Sequence, residues 1–276
     1  VGDSSAAETA GAVGVLIQQT DCHAVGDVGT AADLLDTGDV APTLVVVAER
    51  YPGQIAHTDF DRLARLAPLT GFVALSCVWC EGDGRSGQPW PAARRVYWSH
   101  GEAYFRDQLR RIAAGQTPDW ALPATCTADE RHLLSANSAA ARPPQPAATI
   151  VIQSDDRDMR DWLTAAMHAE GFAAVGRTHG DREPIRGAAA AVIDWPVLTR
   201  SNVSTLAGHL AAVAPARTMV LVDFPRPDMY EWLAAAGAPG LLARPLEISE
   251  LTGQLRHLIE PVTVVEAPPQ HLSLAG

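Results

Sequence analysis

The sequence predicts two tandem α/β units, each a parallel sheet wound with helices on both faces. Three observations predict it. Short β-branched runs alternate with longer amphipathic runs through residues 1–116, and again through 148–260. The strand runs 42–48 and 149–153 are apolar without polar alternation, as expected of strands buried on both faces. The length of 276 residues is long for one compact domain and comfortable for two of about 120 each.

Within residues 1–116, Val1-Gly2-Asp3 reads as the end of a strand, so a clipped first strand is expected. Asp3, Ser4 and Ser5 followed by Glu8 signal a helix start. Ala10, Val13, Leu16 and Ile17 follow at helical spacing. A short strand at 23–28, a small helix at 30–35 stopped near Gly38, and the strand at 42–48 come next. Phe60, Leu63, Leu66 and Leu69 mark a helix. Strands at 71–77 and 95–98 complete a set of five, and an amphipathic helix over 102–113 closes the unit. Inside the first helix, Gly11 and Gly14 read as places of close packing.

Residues 117–147 are rich in Pro, Ala and Ser and read as a linker. A short helix is expected at 127–134, with Thr127 and Glu130 forming a capping box. In 148–260, strands are expected at 149–153, 172–175, 190–193, 218–222 and 240–243. Helices are expected at 157–170, 202–213, 228–236 and 248–259. The segment 178–188 is short and polar with Gly180, Pro184 and Gly187, so the helix due after the second strand is stunted or lost. Residues 261–276 read as a flexible tail.

Composition narrows the function classes. The apolar fraction of 47% suffices for two cores. A net charge of −11 argues against nucleic acid or anionic membrane as the main partner. The chain has no lysine, and its 21 basic residues are all arginine. That excludes Schiff-base chemistry and a phosphate-loop lysine. Four cysteines, Cys22, Cys77, Cys80 and Cys126, are too few for a disulfide scaffold. No signal-peptide pattern opens the sequence, and a soluble, cytoplasmic protein is expected.

The second half carries strand ends at Ser154-Asp155-Asp156, at Asp194, at Val222 and at Arg244-Pro245. On these residues it resembles the receiver domain of bacterial response regulators. The resemblance implies a five-stranded, doubly wound sheet of flavodoxin-like order, with its site at the carboxyl ends of the strands. It also implies two acids holding Mg²⁺, an aspartate accepting phosphate, a hydroxyl that follows the phosphoryl group, and a lysine before a cis-proline. The acid pair falls on Ser154 and Asp155, the acceptor on Asp194, the hydroxyl on Val222, and the lysine on Arg244 before Pro245. One acid, the hydroxyl and the lysine are therefore replaced. The proline expected four residues beyond the acceptor lies instead at Pro196.

The first half resembles the same family more faintly. Gly2 and Asp3 take the acid-pair positions, Ala48 the acceptor position with Glu49 beside it, Ser76 the hydroxyl position and Ser99 the lysine position. An alanine cannot take phosphate.

The resemblance implies a non-enzymatic signalling or regulatory protein built of two pseudo-receivers and acting through protein contacts. A histidine kinase or a regulatory protein is the expected kind of partner, and no cofactor is expected. A phosphorelay receiver with Asp194 as acceptor is the first alternative, with a Mg²⁺ site from Asp155 and Asp194 left open. A thiol–disulfide protein using Cys77 and Cys80, a Cys-x-x-Cys at a strand end, is the second. Small-ligand binding at the strand ends is a third. Finally, the loop 78–91 places Trp79, Arg85 and Trp90 at the sheet edge as candidate partner contacts, against a reading in which the two tryptophans pack the loop down.

Overall fold

A computed structural model of the chain describes residues 1–4, 6, 8–80, 90, 93–123, 125–127, 130, 131, 133, 134, 148–181, 183, 185–214, 217–238 and 240–259. The expectations for Arg85, for most of the 78–91 loop and for the tail 261–276 fall outside these residues.

The first unit is built on β1 (Leu44–Glu49), β2 (Gly71–Ser76) and β3 (Ala93–Tyr97), paired in parallel in that order. The strands face two cores. On one side α1 (Ala10–Gln19) and α4 (Trp98–Ala113) bring Ala12, Val15 and Phe105 against Val73, Leu75 and Val96. On the other, α2 (Val28–Thr37) and α3 (His57–Leu66) bring Ala32, Phe60 and Leu63 against Val45, Val47 and Phe72. Asp27 caps α2 by accepting the Thr30 N–H at 2.9 Å, and Gly38 ends it in the left-handed conformation.

The parallel, doubly wound expectation holds here, but five strands do not: the described residues form three. The backbone hydrogen bonds give the physical reason. The Val1 ammonium donates to the Val46 carbonyl at 2.8 Å, Ala48 N–H donates to Val1, and Gly2 N–H donates to Val25. Residues 1–2 and the 23–28 run thus lie where two further strands are expected, but with too few successive bonds to form them. Gly2 permits the approach: its φ is 110°, and a Cβ there would stand 2.8 Å from the Ala48 carbonyl oxygen. The first helix starts at Ala10, later than the Asp3–Glu8 signal. Of the two glycines inside it, Gly11 packs on Glu102, while Gly14 faces open space.

The second unit matches expectation closely. Its strands are β4 (Thr149–Gln153), β5 (Ala173–Arg177), β6 (Ala188–Asp194), β7 (Arg217–Asp223) and β8 (Gly240–Arg244). All pair in parallel in the order β5-β4-β6-β7-β8. This is the flavodoxin-like order, in which a crevice opens at the carboxyl ends where the order reverses. Helices α5 (Arg157–Ala169) and α8 (Ile248–Ile259) cover one face, with Leu163, Met167, Leu251 and Leu255 on Ile150, Ile152, Val192 and Leu221. Helices α6 (Val203–Val213) and α7 (Pro227–Ala236) cover the other, over Val151, Ile193, Val220 and Val222. Between β5 and β6 the described residues contain no helix, as the glycines and proline there predict.

The linker's capping box forms: Glu130 accepts the Thr127 N–H at 2.7 Å, and Glu130 N–H donates to the Thr127 hydroxyl. The two units meet along α4 and α8. Arg94 of β3 forks onto Glu247 at 2.9 and 3.3 Å, and Arg131 reaches the same carboxylate at 3.4 Å. Trp98 packs on Tyr230 with ring centroids 5.4 Å apart, and the Ser99 hydroxyl meets the Tyr230 hydroxyl at 3.1 Å.

Candidate functional site

Strand alternation decides which groups meet at the carboxyl ends of the second sheet. Along β4, β6, β7 and β8 the residues Ile152, Val192, Leu221 and Leu242 all face α5 and α8. Two residues further on, the same parity carries Ser154, Asp194, Asp223 and Arg244 to that side. The hydrogen bonds follow. The Ser154 hydroxyl donates to Asp194 Oδ2 at 2.7 Å, and Arg244 donates to Asp194 Oδ1 at 2.7 Å. Arg244 also donates from Nε to Asp223 at 2.9 Å. Asp194 is only 3% exposed.

Ser154 is itself held firmly. Its hydroxyl accepts the Asp156 N–H at 3.2 Å, and its carbonyl accepts from Arg160 at 2.7 Å. Gly176 leaves the room for Arg160, since a Cβ there would stand 3.0 Å from the Arg160 Cγ. A serine at this position turns what would be a carboxylate facing Asp194 into a donor. The geometry needs one, because Asp194 offers only acceptor oxygens.

The two acids beside Ser154 face elsewhere. Asp155 accepts from the His179 backbone N–H at 2.8 Å, and its other oxygen meets His179 Nδ1 at 3.1 Å. The backbone bond is the main reason its carboxyl sits below the usual value; slight burial works against the shift, and the ring bond adds to it. Asp156 caps α5, accepting the Met159 N–H at 3.1 Å. The expected Mg²⁺ pair of Asp155 and Asp194 is therefore not a matched donor set. A hard cation needs several free carboxylate oxygens turned to one point, and here each oxygen of both residues already meets a donor. Among the described residues no three His, Cys, Asp or Glu side chains gather to hold a metal ion.

Val222 corrects the expected layout. It is fully buried among Ile193, Val220 and Met229, on the face opposite the polar cluster. The β7 residue that reaches the cluster is Asp223. The alternation Met219, Leu221, Asp223 was legible in the sequence and pointed to it. Pro245 follows Arg244 through a cis peptide bond, as the resemblance implies.

His179, Trp195 and His209 stand in mutual contact, with centroids 5.2 to 5.4 Å apart. Neither His179 nor this cluster was anticipated, because it joins residues that lie far apart in the sequence.

In the first unit, Ala48 and Glu49 end β1 as expected, both buried, and Glu49 accepts the Gly53 N–H at 3.1 Å. Ser76 is buried, and Ser99 belongs to the seam. The tryptophan candidates separate. Trp79 is 69% exposed. Trp90 is 8% exposed and stacks on Phe60 at 4.8 Å with the rings 6° from parallel, so it is core and not a contact surface. Cys77 and Cys80 are both buried with their sulfurs 3.9 Å apart, and the Cys77 thiol donates to the Arg50 carbonyl. Residues 78–80 form a short 3₁₀ turn, and the described residues stop there until Trp90. Nothing supports the redox reading.

A cleft lies at the seam between the units, lined among others by Arg94, His100, Tyr104, Asp119, Arg131 and Glu247. Several of its charges pair with one another. Asp119 accepts from the Tyr104 hydroxyl and lies 3.5 Å from Arg94. Burial raises both Tyr104 and Asp119 above their usual values. Burial also works to raise Glu247, but the hydrogen bonds and charges of Arg94 and Arg131 outweigh it and hold its carboxyl below the usual value.

Comparison with known proteins finds no matching family model and no matching curated protein. Among solved structures the chain is similar to receiver domains. A response regulator protein from Burkholderia multivorans is 22% identical, covering 42% of this chain and 98% of that one, with a TM-score of 0.32. A CheY-like protein (tadZ) from Pseudomonas aeruginosa PAO1 is 19% identical, covering 40% and 98%, with a TM-score of 0.32. A CheY-like receiver domain protein from Methanospirillum hungatei JF-1 is 14% identical, covering 41% and 94%, with a TM-score of 0.35. At these identities the likeness is one of fold. Among the described residues no helix is long and apolar enough to cross a membrane.

Proposed function

We propose that this chain is a signalling or regulatory protein of the response-regulator type whose two receiver-like units work without phosphoryl transfer, through contacts with other proteins in the cytoplasm. The observation that carries this reading is the occupied carboxylate of Asp194. A phosphoacceptor must present a free oxygen to the incoming phosphorus beside a cation that draws off charge. Asp194 is buried, one oxygen accepts from Ser154 and the other from Arg244. The acids that would hold the cation are a serine and an Asp155 turned to His179. Arg244 bonds Asp223 and Asp194 at once, which holds the acceptor-position carboxylate in place. In the first unit the acceptor position is Ala48. Such a unit is a scaffold for partners, and a histidine kinase or another regulatory protein remains the kind of partner proposed.

The test is direct. The protein is incubated with acetyl phosphate and Mg²⁺, and in parallel with beryllofluoride, and then analysed by intact mass spectrometry and NMR. No adduct is expected at Asp194. A stoichiometric adduct there would establish the phosphorelay alternative instead.

A further inference from the structure

His100 lies at the centre of the seam. It sits in the first turn of α4, is 4% exposed, and points its ring into the second unit. Its Nδ1 is 2.7 Å from Glu250 Oε1 on α8, and its Nε2 is 2.9 Å from the Leu241 carbonyl on β8. The Gln254 side chain of α8 donates to the His100 carbonyl at 3.3 Å, which fixes the backbone behind the ring. Tyr97 at the end of β3 meets the ring edge-on at 6.4 Å.

The partners determine the protons. A peptide carbonyl can only accept, so Nε2 must carry hydrogen. A carboxylate also accepts, so a second proton must lie between Nδ1 and Glu250. The closed pair therefore holds two protons, whichever of the two groups is taken to own the shared one. Apart, near neutral pH, a carboxylate and a neutral imidazole hold only one. Glu250 faces the ring from α8, β8 offers the Leu241 carbonyl, and β3 offers the Tyr97 ring. Next along the seam, Glu247 lies between Arg94 and Arg131, with Asp119 also beside Arg94.

We infer that the His100–Glu250 pair is a proton-operated latch between the two units, taking one proton from solvent when the seam closes and returning it when the seam opens. The sign follows from the count. The closed state binds more protons than the open one, so acid favours closure and rising pH weakens it. A linkage of one proton changes the closing constant by up to about tenfold per pH unit. The latch controls access to the surface of α7, β8 and α8 that the first unit covers through Trp98, Ser99 and His100. It does not depend on whether Asp194 accepts phosphate.

Hydrogen exchange on the full chain tests it, with peptides covering α4 and α8 followed from about pH 6 to about pH 9, across and above the imidazole range. After correction for intrinsic exchange, protection at these helices is expected to fall with pH while α5 and α6 stay unchanged. Glu250→Gln is expected to abolish the slope. A flat wild-type profile, or the same slope in Glu250→Gln, would overturn the latch. Nitrogen-15 NMR of the wild-type histidine rings decides the matter without any variant. Both His100 nitrogens should remain protonated above the ordinary imidazole range, and a neutral His100 ring there would remove the proposal.

Discussion

The guanidinium of Arg244 stands 2.7 Å from one oxygen of Asp194, at the position where the receiver resemblance implies a lysine. The planar fork matters, because Arg244 holds Asp223 from Nε while it holds Asp194 from a terminal nitrogen. A lysine ammonium is a point charge on a flexible stem and does not impose that geometry. The cluster of Ser154, Asp194, Asp223 and Arg244 is thus a closed hydrogen-bonded set, with most of its charge removed from solvent.

Removing Arg244 should be costly. In Arg244→Leu the Asp194 carboxylate stays buried with only Ser154 as donor, and a buried charge that loses its partner costs about 3–5 kcal/mol. Urea denaturation should record a lower midpoint. Adding Asp194→Asn in the same background should recover part of the loss, because the uncompensated charge is then gone.

The two tryptophans flanking the first unit's long loop should respond oppositely. Trp90→Ala removes a ring stacked on Phe60 in the core, a loss of about 3–5 kcal/mol. Trp79→Ala removes an exposed ring and should change stability by no more than about 0.5 kcal/mol. Equilibrium denaturation of both variants checks the contrast. A large loss in Trp79→Ala would mean that the ring is covered in solution.

Glu247 makes the seam acid-sensitive in the sense opposite to the latch. Its carboxyl is held below the usual value in the folded protein, where Arg94 and Arg131 outweigh the effect of burial. Its contribution is therefore present above the unfolded carboxyl value of about 4.3 and is lost as pH falls through the lower folded value. Thermal unfolding followed from about pH 6 down to about pH 3 should show a shallower acid loss in Glu247→Gln than in the wild type. Equal slopes would mean that the pairing carries no linkage.

Gly71 should tolerate no side chain. A Cβ there would stand 2.6 Å from Trp120 Cδ1 and 2.9 Å from the Trp120 carbonyl oxygen. The backbone oxygen cannot swing aside as a side chain could. Gly71→Ala is expected to destabilise by about 1–3 kcal/mol through overpacking, measured by urea midpoint, whereas Gly14→Ala, which meets open space, should not destabilise.

Much of the second unit was legible because its signals are local. The unbroken apolar runs mark its buried strands, and Gly180, Pro184 and Gly187 mark a segment whose described residues form no helix. The site was half legible. Asp194, Ser154 and Arg244 fall on recognisable strand ends, but Val222 drew attention away from Asp223. Counting from the strand's apolar core would have assigned Asp223 to the right face. The first unit was less legible, since the run 23–28 reads as a strand in the sequence but makes too few successive backbone bonds to form one.

The sequence by itself determined the alternation of strands and helices, the lack of any lysine and the parity that sends each side chain to one face or the other. These are properties of neighbouring residues, set by a period of two or of 3.6. Only the tertiary structure decided what the polar groups do. Asp194 meets Arg244, Asp155 meets His179 and His100 meets Glu250 across separations of 50, 24 and 150 residues. Burial removes water from Asp194 and His100, so each must find a partner among whatever the folded chain brings near. No local pattern specifies which partner that will be.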